Sequence, residues 1–312
     1  MTGAPPNGLP NGLASAAADH RNGIALVAIG TIAWSSAGLF VRLLPLDPWT
    51  IIVGRSMFGA LFIGAYVVWR FGASTPGIIR RMGTGGILVT LYSAAAITLF
   101  VPAFQNTSVA NVMTIYAALP FIVAAIAWIW LRERPAARTI IASVVALLGM
   151  LVMLDGPGSL GLRSGDLFAI GATLASALMT VQARRSREVK MLPVACLANV
   201  LAVAVALPFA ASVTTLSAYE LAVAAAFGLC AMALGLMLYL IGSGLIPAAL
   251  SALIGTVSVP IGALWVWVSV GEVPTSATCA GAAIVLTGVV GALLLEQRAH
   301  RDDRVSPRQA RL

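Results

Sequence analysis

Long apolar runs separated by short polar segments fill the chain between Ile24 and Leu295. A helix that crosses a bilayer needs roughly 20 mostly apolar residues, and its backbone must satisfy its own hydrogen bonds there. The pattern therefore predicts an all-α integral membrane protein with ten transmembrane helices. We name them spans 1 to 10 and predict their limits at 24–44, 49–69, 84–102, 108–131, 138–154, 166–183, 193–211, 220–241, 246–269 and 275–295.

Charged residues are scarce, and the basic ones are predicted to lie mostly on one side of the membrane. Charged residues make up 10% of the chain, against about a quarter in soluble domains. If the N-terminus is cytoplasmic, all of the 19 basic residues lie in cytoplasmic segments except Arg42, Arg55 and Arg163. This bias predicts a multi-pass protein of the cell (inner) membrane with both termini inside, and it explains the net charge of +8 without nucleic acid. We predict a disordered cytoplasmic tail over residues 1–23 and a basic one over 297–312.

The end of span 4 and span 5 resemble the end of span 9 and span 10. The matched residues are Pro120 with Pro260, Glu133 with Glu272, Pro135 with Pro274, and Gly149 with Gly288. The offset corresponds to five spans, and because five is odd the second copy enters the membrane in the opposite direction. Inverted repeats are typical of secondary transporters. We predict two such repeats, over 24–154 and 165–296; the alternative is an accidental likeness between two apolar hairpins.

Three further stretches complete a recognisable order of motifs: TIAWSSAGLFVRLL at 31–44, VGRSMFGALF at 53–62 and SGDLFAIGATLASALMTVQARR at 164–185. With the two hairpins, they resemble the drug/metabolite transporter superfamily of the EamA type, and within it YddG-like amino-acid exporters. The resemblance implies a ten-helix transporter of small organic solutes. It also implies alternating access around a central cavity lined mainly by spans 1, 3, 4, 6, 8 and 9.

The sequence contains few residues that could carry out catalysis. The two histidines, His20 and His300, lie in the polar ends, and no Walker-type G-x-x-x-x-G-K-[ST] segment occurs. We expect no enzyme activity, no catalytic residues, no metal and no cofactor. No carboxylate lies in the middle of a span, although proton-coupled carriers commonly use one. This favours facilitated diffusion over a coupling ion held by carbonyls and hydroxyls. The expected partners are the solute and the lipid bilayer, and the expected state is a monomer or weak dimer.

Neutral polar and aromatic residues remain near the midplane. The candidate substrate-binding residues are Trp34, Ser35, Tyr92, Ser93, Asn111, Tyr116, Tyr239 and Thr256. Hydroxyls beside aromatic faces suit a neutral or zwitterionic solute with an apolar group, such as an amino acid. For each serine or threonine the alternative is a bond to its own helix. Export of drugs or nucleotide sugars is an alternative function, and a membrane enzyme or lipid-processing scaffold is one from a different class.

Three residues inside spans carry separate hypotheses. Pro120 and Pro260 each remove a helical hydrogen bond, so they are candidate hinges or tolerated kinks. Arg55 lies in span 2, about two turns below the outer face, where a charge costs ~2–3 kcal/mol. It must face the bundle interior. There it either anchors a solute carboxylate or acts as an internal clasp on carbonyls or on Asp47.

Overall fold

The computed structural model describes residues 11–106, 112, 115–153, 164–271 and 275–305. Within these residues every regular element is a helix. Eight helices are long and apolar enough to cross a membrane, and two shorter apolar helices lie where spans 4 and 5 were predicted. The all-helical membrane class is confirmed, and the count of ten full spans stays a prediction.

Several spans consist of more than one helix, because the chain breaks or changes its helical pitch inside them. The helices are Asn11–Ser35 and Ala37–Leu43 in span 1, Pro48–Phe71 in span 2, Gly83–Asn106 in span 3, Leu119–Leu131 in span 4, Ala137–Met153 in span 5, Ser164–Arg185 in span 6, Met191–Ala206 in span 7, Ala218–Phe227, the π-helix Gly228–Leu236 and Met237–Leu245 in span 8, Ala248–Gly255 and Ser258–Val270 in span 9, and Ser276–Val305 in span 10.

The two ends of the chain differ from the sequence-based prediction. The first helix begins at Asn11, inside the segment over which a disordered tail was predicted. The alanines between Ala14 and Ala18 favour helix, and this lets the first span extend beyond its apolar part. Span 10 likewise continues as a helix to Val305, into the basic segment predicted to be a tail.

The helices pack in pairs that follow the repeat. Span 1 packs on span 8, and span 6 packs on span 3; spans 2 and 7, spans 4 and 9, and spans 5 and 10 also pack together. If spans 1 to 5 are exchanged with spans 6 to 10 in the same order, the contact of span 1 with span 8 becomes the contact of span 6 with span 3. The contacts of span 2 with 7, 4 with 9 and 5 with 10 stay the same. Two copies related by a twofold axis produce this arrangement.

The backbone at the end of spans 4 and 9 repeats as well. The helix of span 4 ends at Arg132, which has a left-handed conformation with φ 54°. The helix of span 9 ends at Gly271, which has φ 75°. A left-handed residue is a common way to end a helix, and glycine adopts it without strain. The glycine and arginine before the two matched glutamates therefore do the same structural task.

Spans 5 and 10 approach each other at the matched glycines. A Cβ on Gly149 would lie 2.8 Å from the carbonyl oxygen of Gly281 and 2.9 Å from the backbone nitrogen of Val285. A Cβ on Gly288 would lie 3.0 Å from a methyl carbon of Val145. In membranes small residues let helices pack this closely, because dispersion contacts replace the hydrophobic effect.

We expect Gly149→Ala to destabilise the protein by about 1–3 kcal/mol, because the added carbon meets backbone atoms that cannot rotate away. Gly291→Ala is the matched control on span 10, since a Cβ there meets nothing within 4 Å. Thermal unfolding in detergent compares the two variants. Equal melting temperatures for both would contradict the close approach of spans 5 and 10.

Candidate functional site

A π-helical segment of span 8, Gly228–Leu236, lies against spans 1 and 2. A Cβ on Gly228 would lie 2.6 Å from the carbonyl oxygen of Arg55, and a Cβ on Gly235 would lie 3.1 Å from the backbone nitrogen of Trp34. Wider π-helical turns are frequent at functional sites. The sequence-based prediction missed this segment, although its glycines were a usable signal for close packing.

Span 8 continues into an aromatic group shared with spans 1 and 6. The rings of Trp34 and Tyr239 meet edge to face with centroids 5.7 Å apart. The Tyr239 hydroxyl lies 3.2 Å from Oγ1 of Thr180, which donates to the carbonyl of Ser176 at 2.9 Å. Tyr239 is only 3% exposed, so this group is buried in the bundle.

The break in span 9 reaches the same group. A Cβ on Gly255 would lie 3.7 Å from the Tyr239 hydroxyl oxygen, which places the neighbouring Thr256 beside the aromatic group. The Thr256 hydroxyl donates to the carbonyl of Leu253 at 2.7 Å. The hydrogen bond to its own helix agrees with the alternative that the Thr256 hydroxyl has only a structural role. The position of Thr256 next to Gly255 agrees with the prediction that it belongs to the binding site.

Ser35 connects span 1 to span 9. Its hydroxyl donates to the carbonyl of Ile32 at 2.6 Å and accepts a hydrogen bond from Nε1 of Trp265 at 3.0 Å. The bond to Ile32 is the local one expected of a helical serine, and the bond from Trp265 is one that the sequence could not specify. Trp34 and Ser35 therefore join spans 8 and 9 to span 1.

A second aromatic pair lies in the first repeat. Phe100 of span 3 and Tyr116 of span 4 meet edge to face with centroids 5.8 Å apart. Phe100 precedes Tyr239 by 139 residues, and Tyr116 precedes Thr256 by 140. The sequence-based site therefore omitted Phe100, which the repeat offset would have identified. Each repeat brings an aromatic residue of its third helix to the break in its fourth.

Both candidate hinge prolines lie near the start of a helix, so the prediction that they sit in mid-helix is wrong. The helix of span 4 begins one residue before Pro120, after a turn at Ala118, and the second helix of span 9 begins two residues before Pro260. A proline in the first turn loses no helical bond that the chain needs. Their role as hinges stays a prediction.

Two further candidates, Tyr92 and Ser93, lie on span 3. Ser93 is fully buried, and its hydroxyl finds no hydrogen-bond partner among the described residues. Tyr92 is partly buried and packs on the main apolar core. Asn111 lies outside the described residues. Ser93 is thus a buried hydroxyl near which a water or solute group would gain a hydrogen bond.

Arg55 is 3% exposed and joins three spans. Its Nη2 donates to the carbonyl of Ile97 in span 3 at 2.9 Å, and its guanidinium carbon lies 5.1 Å from the ring centroid of Phe227 in span 8. Pro102 follows in span 3 and cannot donate to the carbonyl of Thr98, so the ladder of backbone bonds is already interrupted next to Ile97.

Asp47 does not hold Arg55. It caps the start of span 2 instead, accepting from the backbone nitrogen of Thr50 at 2.9 Å and from its hydroxyl at 2.6 Å. Nε of Arg55 has no hydrogen-bond partner in the part of the chain that the structure describes. The observed contacts fit the internal clasp, and the unused N–H leaves a donor for a solute carboxylate.

Three charged residues tie together the ends of spans 4, 6 and 8 that are predicted to face the cytoplasm. Glu133 accepts from Nε of Arg184 at 3.0 Å and lies 3.7 Å from Nη2 of Arg187. Arg184 also donates from Nη1 to the carbonyl of Gly244 at 3.2 Å. We call Glu133, Arg184 and Arg187 the cytoplasmic ion cluster, after the side of the membrane predicted for them. It holds the matched glutamate of the first repeat across this end of the bundle.

Two cavities open at the end of the bundle that is predicted to face the cytoplasm, with volumes of about 580 and 400 Å³. None of the predicted site residues lines either of them, so the central cavity stays a prediction. Around the aromatic group the side chains are packed, as the low exposure of Tyr239 and Thr256 shows. Among the described residues no group of His, Cys, Asp and Glu side chains could hold a metal ion.

A bundle of apolar helices built from two copies, with buried aromatic and hydroxyl groups where the copies meet, is typical of a membrane transporter. The model of the EamA-like transporter family matches the chain twice, over residues 21–155 and 163–294. The chain belongs to this family, which is part of the drug/metabolite transporter superfamily, and it is a multi-pass transporter of small molecules.

The solved structures support the same fold. One crystal structure superposes with a TM-score of 0.72 over 92% of this chain and 99% of its own, at 19% sequence identity. Identity at this level shows the fold alone. A comparison with curated proteins finds no match.

Proposed function

We propose that this protein exports amino acids, preferably neutral ones with aromatic or other apolar side chains, across the inner membrane without ATP. Membership of the family supplies the transporter class. The basic residues that fall on one side of the membrane support cytoplasmic termini. What we propose beyond the family is the solute that is carried and the direction of its transport.

The aromatic group of Trp34 and Tyr239 carries the proposal. It lies where spans 1, 6, 8 and 9 meet, with the hydroxyl of Thr180 3.2 Å from that of Tyr239 and with Gly255, the neighbour of Thr256, packed on the Tyr239 ring. An apolar side chain gains contact area against the rings, and a zwitterionic head gains hydrogen bonds from the hydroxyls. A solute with a large net charge would find no opposite charge within this group.

Alternating access follows from the two-copy arrangement. The cytoplasmic ion cluster closes the inner end when Glu133 holds Arg184, and breaking this contact frees the ends of spans 4, 6 and 8 from one another. The breaks ahead of Pro120 and Pro260 let the halves of spans 4 and 9 move separately. The solute would therefore meet one side of the membrane at a time.

Movement down the solute gradient remains our proposal for the energetics. Asp166 is a buried carboxylate, only 5% exposed, but it lies in the first turn of span 6. Fourteen residues separate it from Thr180, which is about 21 Å along a helix. A proton relay at that distance would not touch a solute bound at the aromatic group.

The test is counterflow in proteoliposomes that hold the pure protein, with labelled amino acids, nucleotide sugars and cationic drugs as separate arms. We expect aromatic amino acids to exchange, and Trp34→Ala to reduce their exchange about tenfold through the lost ring contact. Trp128→Ala is the matched control, because Trp128 is 58% exposed toward the lipid.

Each arm of this experiment has a distinct meaning. Exchange of nucleotide sugars or drugs in place of amino acids would show that the proposed solute is wrong and that the protein is still a transporter. An equal loss of exchange in Trp34→Ala and Trp128→Ala would show that the aromatic group is not part of the solute site. No exchange with any solute would favour the enzyme or scaffold over a transporter of these classes.

A further inference from the structure

The smaller cytoplasmic cavity is strongly basic. It lies among the ends of spans 2, 7 and 8 and the connection between spans 6 and 7, with a volume of about 400 Å³. Its lining residues include Arg70, Arg187 and Lys190 and no acidic residue, and Met191 and Ile241 contribute to its apolar part. We propose that this cavity binds the phosphate head group of an anionic phospholipid from the cytoplasmic leaflet.

Two of the positive charges, on Arg70 and Lys190, have no acidic partner among the described residues and lie near the same aromatic ring. Nζ of Lys190 lies 4.7 Å from the ring centroid of Phe71, and the guanidinium carbon of Arg70 lies 5.8 Å from the same centroid. No salt bridge joins either cation to an acid among the described residues. Two cations near one ring repel each other, so a bound anion that contacts both lowers the electrostatic energy.

The third cation is only loosely held. Nη2 of Arg187 lies 3.7 Å from Glu133, longer than a hydrogen bond, and its side chain is 52% exposed. The phosphodiester of a phospholipid offers two charged acceptor oxygens, and arginine binds phosphate through paired N–H donors. Arg187 can therefore turn from Glu133 to a phosphate at little cost.

The position of the cavity favours a lipid over a soluble phosphate. Phe71 ends span 2, Met191 begins span 7 and Leu245 ends span 8, so the cavity lies at the level of the lipid head groups. On span 2, the rings of Tyr66 and Trp69 pack at a tilt with centroids 5.7 Å apart, and Trp69 is 78% exposed. Such exposed aromatic pairs mark the membrane interface, and basic cavities between helix ends there bind anionic head groups.

The cavity also shares residues with the cytoplasmic ion cluster. Arg187 belongs to both, and Gly244, whose carbonyl accepts from Arg184, lines the cavity. A bound head group would compete with Glu133 for Arg187. The lipid would thereby loosen the contact that joins span 4 to span 6.

Native mass spectrometry of the detergent-solubilised protein tests the proposal with palmitoyl-oleoyl phosphatidylglycerol, and with phosphatidylcholine of the same chains as the neutral lipid. We expect phosphatidylglycerol to bind at least tenfold more tightly than phosphatidylcholine. The triple variant Arg70→Gln, Arg187→Gln, Lys190→Gln should lose this preference. The matched control removes the same charge outside the cavity: Arg81→Gln, Arg134→Gln, Arg185→Gln.

The outcomes separate clearly. Retention of the preference in the cavity variant, or its equal loss in the control variant, would overturn the site, since binding would then reflect surface charge in general. Displacement of the lipid by millimolar inorganic phosphate would overturn the lipid assignment in favour of a soluble anion. Gel filtration confirms that each variant is folded, and a second triple variant with Arg70→Lys, Arg187→Lys and Lys190→Arg should keep the preference.

Discussion

Arg55→Gln is expected to lower the melting temperature of the protein in detergent by about 5 °C or more. The change removes a charged hydrogen bond to the carbonyl of Ile97, worth about 1.5–3 kcal/mol, and the contact with the Phe227 ring. Arg55→Lys should recover part of this loss, because an ammonium group can donate to the carbonyl but cannot stack as a planar fork. Thermal unfolding measures both variants, with the exposed Arg81→Gln as control.

The same variants decide between the two roles of Arg55. If it is an internal clasp, the KM for an exchanged amino acid should change less than threefold in the protein that remains folded. A KM that rises tenfold or more, with an unchanged melting temperature, would assign Arg55 to the solute carboxylate through its unused Nε. The measurement is counterflow in proteoliposomes at equal amounts of folded protein.

Glu133→Gln is expected to shift the protein toward a form that is open to the cytoplasm. Arg184 is only 10% exposed at its side chain, so its contact with Glu133 is partly shielded from water, and losing it should change the balance between forms about tenfold. The double variant Glu133→Arg, Arg184→Glu should restore part of the original balance. Arg185→Gln changes an exposed neighbour and should have no effect.

A cysteine at Ser243 reports this shift. Ser243 is fully buried beside Gly244, and the native thiols Cys196, Cys230 and Cys279 can be replaced beforehand. We expect Ser243→Cys to react slowly with a membrane-impermeant maleimide from the cytoplasmic side, and about tenfold faster when Glu133→Gln is added. An unchanged rate would mean that the cytoplasmic ion cluster does not control access.

The apolar pattern was sufficient for the class of fold, because the bilayer permits few alternatives to a helix bundle. The repeat was equally readable: Gly149 and Gly288, paired from sequence, both lie where spans 5 and 10 meet. The start of span 1 was missed because polarity was taken as disorder, whereas the alanine-rich stretch after Asn11 favours helix.

The site was less predictable, since its contacts join residues distant in the chain. The partner of Arg55 depended on how spans 2 and 3 pack, and the sequence left Asp47 and backbone carbonyls as equal choices. Pro120 and Pro260 correctly marked places where the backbone is irregular. A proline fits the first turn of a helix as well as a kink inside one, however, and the sequence does not distinguish these two positions. Phe227 was missed because a phenylalanine in an apolar run carries no polar signal.

The close approach of spans 5 and 10 limits how the transporter can change shape. With backbone atoms of Gly281 and Val285 directly over Gly149, these two helices cannot slide or rotate past each other without a steric clash. We therefore expect these two helices to form a static seam that moves as one body, with conformational change taking place in the remaining spans.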